Sequence, residues 1–200
     1  AGWLIAPDKQ EYKIDGQGYL SYGKSLTVLT ALRDLIGEQA INNVLKTLLN
    51  RHRDKVDLEL TTLELLSELY KVSPIHYHDL LDDWFKRVIT YDLSIEESSY
   101  TALANGTYEI TVKVKANRFE TKGKEETIKI DINEPIKIGV FTEHPSDLKN
   151  DSGILYYEST IIDNEESIIK IIVKDLPKYI AIDPYGTRSD ENFTDNLVGL

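Results

Sequence analysis

The hydrophobic residues of this chain change their spacing near Leu93. Before that residue they recur every three or four positions, which is the spacing of one face of an α-helix. After about residue 96 they alternate with polar residues, which is the spacing of a half-buried β-strand. The change predicts an α+β chain with a helical part, residues 1–93, followed by a β-sheet part, residues 94–200.

Four amphipathic helices are predicted in the first part. Gly37 separates the first two, as a glycine at a helix C-terminus does. Thr61 and Glu64 have the spacing of a capping box and predict the start of the third helix. Ser73 followed by Pro74 predicts the start of the fourth. Short links between such helices indicate an α-helical bundle segment. The apolar faces of the four helices carry, in order, Leu26, Leu29, Leu32 and Ile36; Ile41, Val44, Leu45, Leu48 and Leu49; Leu65, Leu66 and Leu69; and Leu80, Leu81, Trp84, Phe85 and Val88.

The second part consists of short alternating segments with Lys or Thr on the predicted solvent-facing side. Turn-forming residues such as Asn105–Gly106 separate them. Six or seven strands at this spacing predict an antiparallel β-sandwich. The predicted strands are residues 108–115, 127–132, 136–141, 154–157, 167–173 and 179–182.

Charge and cysteine content exclude several classes of function. The chain has 34 acidic and 23 basic residues, so its formal net charge is -11. An acidic chain is a poor binder of nucleic acid, because phosphates are bound by clustered Lys and Arg. The chain has no cysteine, which excludes disulfides and thiol chemistry.

The most specific motif lies between Tyr22 and Glu38. Tyr22-Gly-Lys-Ser opens directly into an apolar helical segment that ends at Gly37-Glu38. This pattern resembles the segment that carries the transition-state tyrosine in aminopeptidase N-type zinc metallopeptidases, the gluzincins. Leu60–Leu66 and Leu81–Phe85 look like two later helices of that family. The three residues after Tyr22 depart from it, because many members have an acidic residue, Lys and Gly there.

The resemblance implies that the chain is the C-terminal portion of a zinc aminopeptidase. Such enzymes bind zinc with His-Glu-x-x-His and a later Glu, all before the tyrosine, and only 21 residues precede Tyr22. Zinc, the peptide substrate and the rest of the catalytic domain therefore belong to the parent protein, and the fragment alone is expected to hold no zinc and to be inactive. The helical part would complete the catalytic domain, and the β part would be immunoglobulin-like. The ending Ile182–Tyr185 is similar to bacterial members with an extracytoplasmic peptidase domain linked to a membrane protein.

Tyr22 is the candidate catalytic residue. In the family, zinc-bound water attacks the peptide carbonyl, and a neutral donor stabilises the resulting oxyanion. A phenol with a pKa near ~10 stays protonated at neutral pH and donates that hydrogen bond. Without the resemblance, Tyr22 is simply one of the 12 tyrosines of the chain. It would then be expected to pack under Leu26.

Other candidate ligands are weaker. His76 and His78 are two positions apart, so on a helix they point about 200° apart and cannot bind one metal ion. They are interpreted as surface or capping residues, and His52 as a charge suited to a helix C-terminus. Oxygen ligands suit calcium, but the acidic residues near the C-terminus lack EF-hand spacing and are interpreted as a solvated segment: Asp183, Asp190, Glu191 and Asp195.

A second hypothesis is a non-catalytic interaction or scaffold module of a membrane-associated protein. The sequence that precedes this segment in the parent distinguishes the two hypotheses. His-Glu-x-x-His with a later Glu would favour the peptidase, and an intact parent without that motif would favour the scaffold.

Overall fold

The chain folds into two compact units, Ala1–Ile89 and Thr90–Leu200, in a computed structural model that describes residues 4–5, 11–12, 24–53, 61–122 and 126–200. Within the described residues the fold is α+β, as the sequence predicts. The spacing change near Leu93 lies four residues after Ile89, the last residue of the first unit.

The first unit contains four α-helices and a two-stranded antiparallel pairing within its described residues. The helices are α1 (Lys24–Ile36), α2 (Glu38–His52), α3 (Thr62–Val72) and α4 (His78–Lys86), and the paired strands are β1 (Leu4–Ile5) and β2 (Glu11–Tyr12). All four helices contribute to one buried apolar cluster. Its most buried leucines are no more than 1% exposed, and each contributes about 1.5–3 kcal/mol by leaving water: Leu32, Leu48, Leu69 and Leu81.

Two predicted helix boundaries are confirmed. Gly37 has a φ of 85°, which an L side chain rarely adopts, and its N–H donates to Arg33 O at 3.0 Å, so α1 ends there. At α3, the Glu64 N–H donates to Thr61 Oγ1 at 3.2 Å, and the Thr61 N–H donates to Glu64 Oε2 at 3.2 Å. Both halves of the capping box are therefore present.

The predicted start and end of the fourth helix are wrong. Ser73 ends α3, because its N–H donates to Leu69 O, and Pro74 has an extended ψ of 142°. A short 3₁₀ turn, Ile75–Tyr77, follows before α4 begins. Val88 continues the helical spacing of the sequence, yet α4 ends at Lys86 and Arg87 is extended.

The second unit is built on two four-stranded antiparallel sheets. The first sheet contains β3 (Val88–Ala102), β4 (Tyr108–Lys122), β5 (Glu126–Ile130) and β8 (Glu166–Val173). The second contains β6 (Glu134–Phe141), β7 (Ile154–Ile162), β9 (Tyr179–Ile182) and β10 (Leu197–Gly199). In the first sheet, the central strand β4 pairs with β3, β5 and β8. The strand order of the second sheet is β10-β9-β6-β7.

Strand β3 begins earlier than the sequence spacing predicts. It starts at Val88, well before residue 96. Its inward side chains alternate along the strand and are at most 8% exposed: Ile89, Tyr91, Leu93 and Ile95. The β-branched residues at its start favour a strand over a further helical turn.

No helix in the described segments combines the length and the apolar character that crossing a membrane requires.

We expect Thr61→Ala to destabilise the helical unit by about 1 kcal/mol, because the variant leaves the Glu64 N–H at the start of α3 without its side-chain acceptor. Urea denaturation followed by far-UV circular dichroism measures the change. Thr62→Ala, one residue later and without the cap bond, is the matched control. Equal effects of the two variants would show that the cap contributes nothing.

Candidate functional site

The candidate catalytic residue, Tyr22, lies outside the described residues. The described part of its motif starts at Lys24, the first residue of α1. This helix ends at Ile36, and Glu38 already begins α2 after the single residue Gly37. The helix that the motif predicts is therefore present and begins two residues after the tyrosine. The predicted end of this helix at Gly37 is also present.

Two histidines of the helical unit, His78 and His52, contact polar atoms at the ends of helices. His78 Nε2 lies 3.2 Å from Tyr70 O and 3.3 Å from Ser73 O, at the C-terminal end of α3. It is therefore a capping residue, as the sequence predicts for it. His52 Nε2, in the last turn of α2, lies 3.3 Å from Glu64 Oε1. Where residues are described, no three His, Cys, Asp or Glu side chains are placed to hold one metal ion.

The interpretation of the acidic C-terminal segment as solvated is wrong for Asp183. This side chain is 1% exposed, and its carboxylate accepts three hydrogen bonds. The donors are the Thr187 N–H at 2.9 Å, the Thr187 hydroxyl at 2.6 Å and the Arg188 N–H at 2.8 Å. Asp183 also has a φ of 46°, a strained conformation for a non-glycine residue, and these bonds hold the turn that follows it.

Asp190 and Asp195 also have structural partners. Asp190 Oδ2 accepts from the Leu93 N–H at 3.2 Å and from Asn196 Nδ2 at 2.9 Å. Asp195 Oδ2 accepts from Asn192 Nδ2 at 2.6 Å. These bonds tie the segment between β9 and β10 to itself and to β3.

A buried charge cluster centres on Glu134, the first residue of β6. Glu134 is 2% exposed. Its Oε1 accepts from the Tyr91 hydroxyl at 2.8 Å, and its Oε2 accepts from Arg188 Nε at 2.8 Å. Arg188 Nη2 also donates to Pro135 O at 2.8 Å, and Arg118 Nε lies 3.7 Å from Glu134 Oε1. The cluster thus joins β3 and β4 of the first sheet, β6 of the second sheet and the segment after β9.

Burial and neighbouring charges shift the pKa of three groups in and beside this cluster: Tyr91, Arg188 and Asp183. Burial raises the pKa of Tyr91 far above its ordinary value, and the adjacent Glu134 charge adds to the effect, so the hydroxyl remains a donor. Burial opposes the charge of Arg188, but Glu134, Tyr91 and Asp183 together raise its pKa. Burial also raises the pKa of Asp183, against the opposing effect of Arg188. A cluster this enclosed suits a structural role.

Sequence reasoning missed this cluster. Glu134 stands in Asn133-Glu-Pro135, which has the composition of a turn, and Tyr91 lies in the stretch assigned to the helical part. The sequence signal that could have revealed the cluster is Arg188, because it is the one basic residue between Asp183 and Asp195. A lone base in an acidic segment fits a buried ion pair.

The chain matches no protein-family model, and no curated protein is significantly similar to it in sequence.

We expect Arg188→Met to destabilise the sheet unit by about 3–5 kcal/mol, because it leaves Glu134 buried without its cation. Adding Glu134→Gln should recover part of that loss, because the double variant no longer contains the isolated charge. Thermal and urea unfolding of the two single variants and the double variant measure the coupling.

Lys170→Met is the matched control, since Lys170 pairs with Glu109 at 3.3 Å on the surface and is 63% exposed. Its loss should change stability by less than about 1 kcal/mol. Additive effects of Arg188→Met and Glu134→Gln would contradict a coupled ion pair.

Proposed function

We propose that this chain is the C-terminal portion of a zinc-dependent aminopeptidase of the gluzincin type, which hydrolyses peptide bonds from the N-terminus of its substrate. The observation that carries the proposal is the motif that begins with Tyr22. Its described part is a helix from Lys24 to Ile36 that Gly37 ends in a left-handed conformation. The order of the units, helices first and antiparallel sheets second, is the order that the resemblance implies.

Tyr22 would act as a hydrogen-bond donor. Its neutral phenol supplies an O–H to the oxyanion that forms when the substrate carbonyl becomes tetrahedral.

The described residues of this chain do not fit a catalytic zinc site, since they contain no suitable group of three ligands. As the resemblance implies, the proposal assigns the zinc ligands, the general base and the residues that bind the substrate amino group to the part of the parent that precedes the motif. On this proposal the chain alone has no peptidase activity, because loss of essential members of a catalytic unit removes most of its rate enhancement.

The proposal extends to the finer architecture. The helical unit would be the closing segment of the catalytic domain, and the sheet unit would be an immunoglobulin-like β-sandwich. The bond from Tyr91 on β3 to Glu134 on β6 supports the second part, because it connects the two sheets through their buried side. Buried residues alternate along β4 from Ile110 to Ala116 and along β6 from Glu134 to Ile138, as strands of a sandwich do.

The second candidate is an interaction or scaffold module without peptidase activity in the parent. Exposed apolar side chains on the helical unit favour it, among them Leu49 at 67%, Leu63 at 54% and Ile75 at 82% exposure. Such side chains supply apolar area for a contact with another protein part. In the peptidase that part is the rest of the catalytic domain, whereas in a scaffold it is a separate protein.

Tyr22→Phe in the full-length parent tests the catalytic role. The variant removes one hydroxyl and no packing carbon, so folding and zinc content should be unchanged. Loss of one oxyanion donor should lower kcat by about 10² to 10³. KM should stay nearly constant, because the bond forms mainly in the transition state. Steady-state hydrolysis of an aminoacyl amide at equal zinc content measures both constants.

Tyr77→Phe is the matched control, since Tyr77 is half-buried in the turn before α4 and belongs to the same unit. Its kcat should equal that of the wild type. If Tyr22→Phe also agrees with the wild type within about twofold, far below an oxyanion-donor effect, Tyr22 is not catalytic.

A further inference from the structure

Strand β8 lies at an edge of the first sheet. Among the described residues it pairs only with β4, through an antiparallel ladder that covers its whole length. The side of β8 that faces away from β4 therefore carries backbone N–H and C=O groups that no described strand receives. Such an edge is a template for pairing with another chain.

Two isoleucines project from the outward face of β8. Ile168 is 70% exposed and Ile172 is 61% exposed, whereas the inward Ile171 and Val173 are 4% and 3% exposed. Lys170 lies between the two isoleucines on the outward face. Proteins usually protect an exposed edge with charged side chains, so two exposed isoleucines beside one lysine leave the edge only partly protected. Pairing with another strand would cover this apolar area.

The sequence of β8 is a palindrome around Lys170, since residues 168–172 are Ile-Ile-Lys-Ile-Ile. In an antiparallel pair centred on Lys170, Ile168 of one copy lies opposite the partner's Ile172. Outward side chains then meet outward side chains, so the two sheets join with matching faces. A two-fold symmetric contact requires a surface that is complementary to itself in this way.

The charges at the ends of β8 match in the same register. Glu166 begins the strand and Lys174 follows its last residue, so Glu166 of each copy lies opposite the partner's Lys174. Glu166 Oε2 lies 3.1 Å from Lys113 Nζ, which also lies 2.7 Å from Glu96 Oε2. Two carboxylates thus share one ammonium, and the remaining negative charge attracts a further cation.

Two repulsive effects limit the affinity of such a pair. Lys170 lies opposite the partner's Lys170, and like charges directly opposite are unfavourable. Each Lys170 Nζ is 3.3 Å from Glu109 Oε1 on β4 of its own copy, so this central group of four charges is neutral. The net charge of -11 also opposes association, although ~0.15 M salt screens it beyond about 8 Å. The expected dimer is therefore weak.

We propose that β8 pairs antiparallel with β8 of a second copy of this chain and forms a two-fold symmetric dimer through one continuous sheet. Backbone hydrogen bonds between the two edges supply affinity, and the isoleucine and Glu166–Lys174 contacts fix the register. The contact is smaller than the interface of a permanent dimer, so the dimer dissociates on dilution. This contact is independent of the proposed peptidase role, so failure of either proposal leaves the other standing.

Sedimentation equilibrium of the intact chain in ~0.15 M salt tests the pairing. The average mass should rise from that of a monomer toward that of a dimer between about 10 µM and 1 mM, where small interfaces dissociate. Hydrogen exchange at high concentration should slow for the β8 amides that face away from β4. Exchange in β7, an edge strand of the other sheet, should not depend on concentration.

Ile172→Thr keeps a β-branched side chain and removes an apolar contact at both ends of the pair. Dimer affinity should therefore fall by at least about fivefold. Ile161→Thr is the matched control, because Ile161 is 57% exposed on β7, and its dimer affinity should equal that of the wild type. Equal thermal transitions at low concentration show that both variants are folded.

Lys174→Glu places two carboxylates opposite each other at both ends of the pair, so it should weaken the dimer by at least about fivefold. Adding Glu166→Lys restores opposite charges in the antiparallel register. The double variant should therefore dimerise at least about threefold more tightly than Lys174→Glu alone. A parallel pair would place residue 166 opposite residue 166 and would gain nothing from the exchange.

Three results would overturn the proposal. A monomer mass at every concentration would show that the edge accepts no second copy and is left for a strand of another sequence. Equal effects of Ile172→Thr and Ile161→Thr would place the contact away from β8. A double variant that dimerises no more tightly than Lys174→Glu would exclude the antiparallel register.

Discussion

The sheet unit depends on how it satisfies one buried carboxylate, Glu134. A charge that is 2% exposed is tolerated only when donors and a cation surround it. Tyr91 supplies a hydroxyl from the first sheet, and Arg188 supplies a guanidinium from the segment after β9. Because these partners come from distant parts of the sequence, the Glu134 bonds fix where β3, β6 and that segment lie within the unit.

The position of Arg188 determines the shape of the segment that follows β9. Asp183 accepts the Arg188 and Thr187 N–H groups and holds the turn between them, in spite of its own strained φ. Further along, Asp190 binds the Leu93 N–H and the Asn196 amide.

Local sequence rules predicted much of the secondary structure. Gly37 and the Thr61 capping box act through neighbours in sequence, and both behave as predicted. Val88 could not be assigned in this way, because it continues the helical spacing of Trp84 and equally opens the alternation of exposed and buried residues that runs through Ile89 and Tyr91. Its strand conformation follows from pairing with β4, which is a tertiary interaction.

The same distinction between local sequence signals and tertiary interactions applies to the candidate sites. The motif at Tyr22 is contiguous in sequence, so it was recognised by its pattern, although the tyrosine itself lies outside the described residues. The Glu134 cluster combines residues separated by dozens of positions, and each member has an ordinary local context. Only the three-dimensional fold reveals that Asn133-Glu-Pro135 contributes a buried charge.

Native-state hydrogen exchange of Tyr91→Phe tests most directly whether Glu134 holds the two sheets together as one cooperative unit. The variant removes one donor to Glu134 and leaves the ring in place. The free energy of exchange should fall by a common amount, about 1–3 kcal/mol, for slow amides in both sheets, such as Val112 in β4 and Ile138 in β6. Tyr100→Phe, at an exposed position on β3, should leave the free energies of exchange of both amides unchanged. Faster exchange confined to the neighbours of residue 91, with Ile138 unaffected, would contradict a unit held together through Glu134.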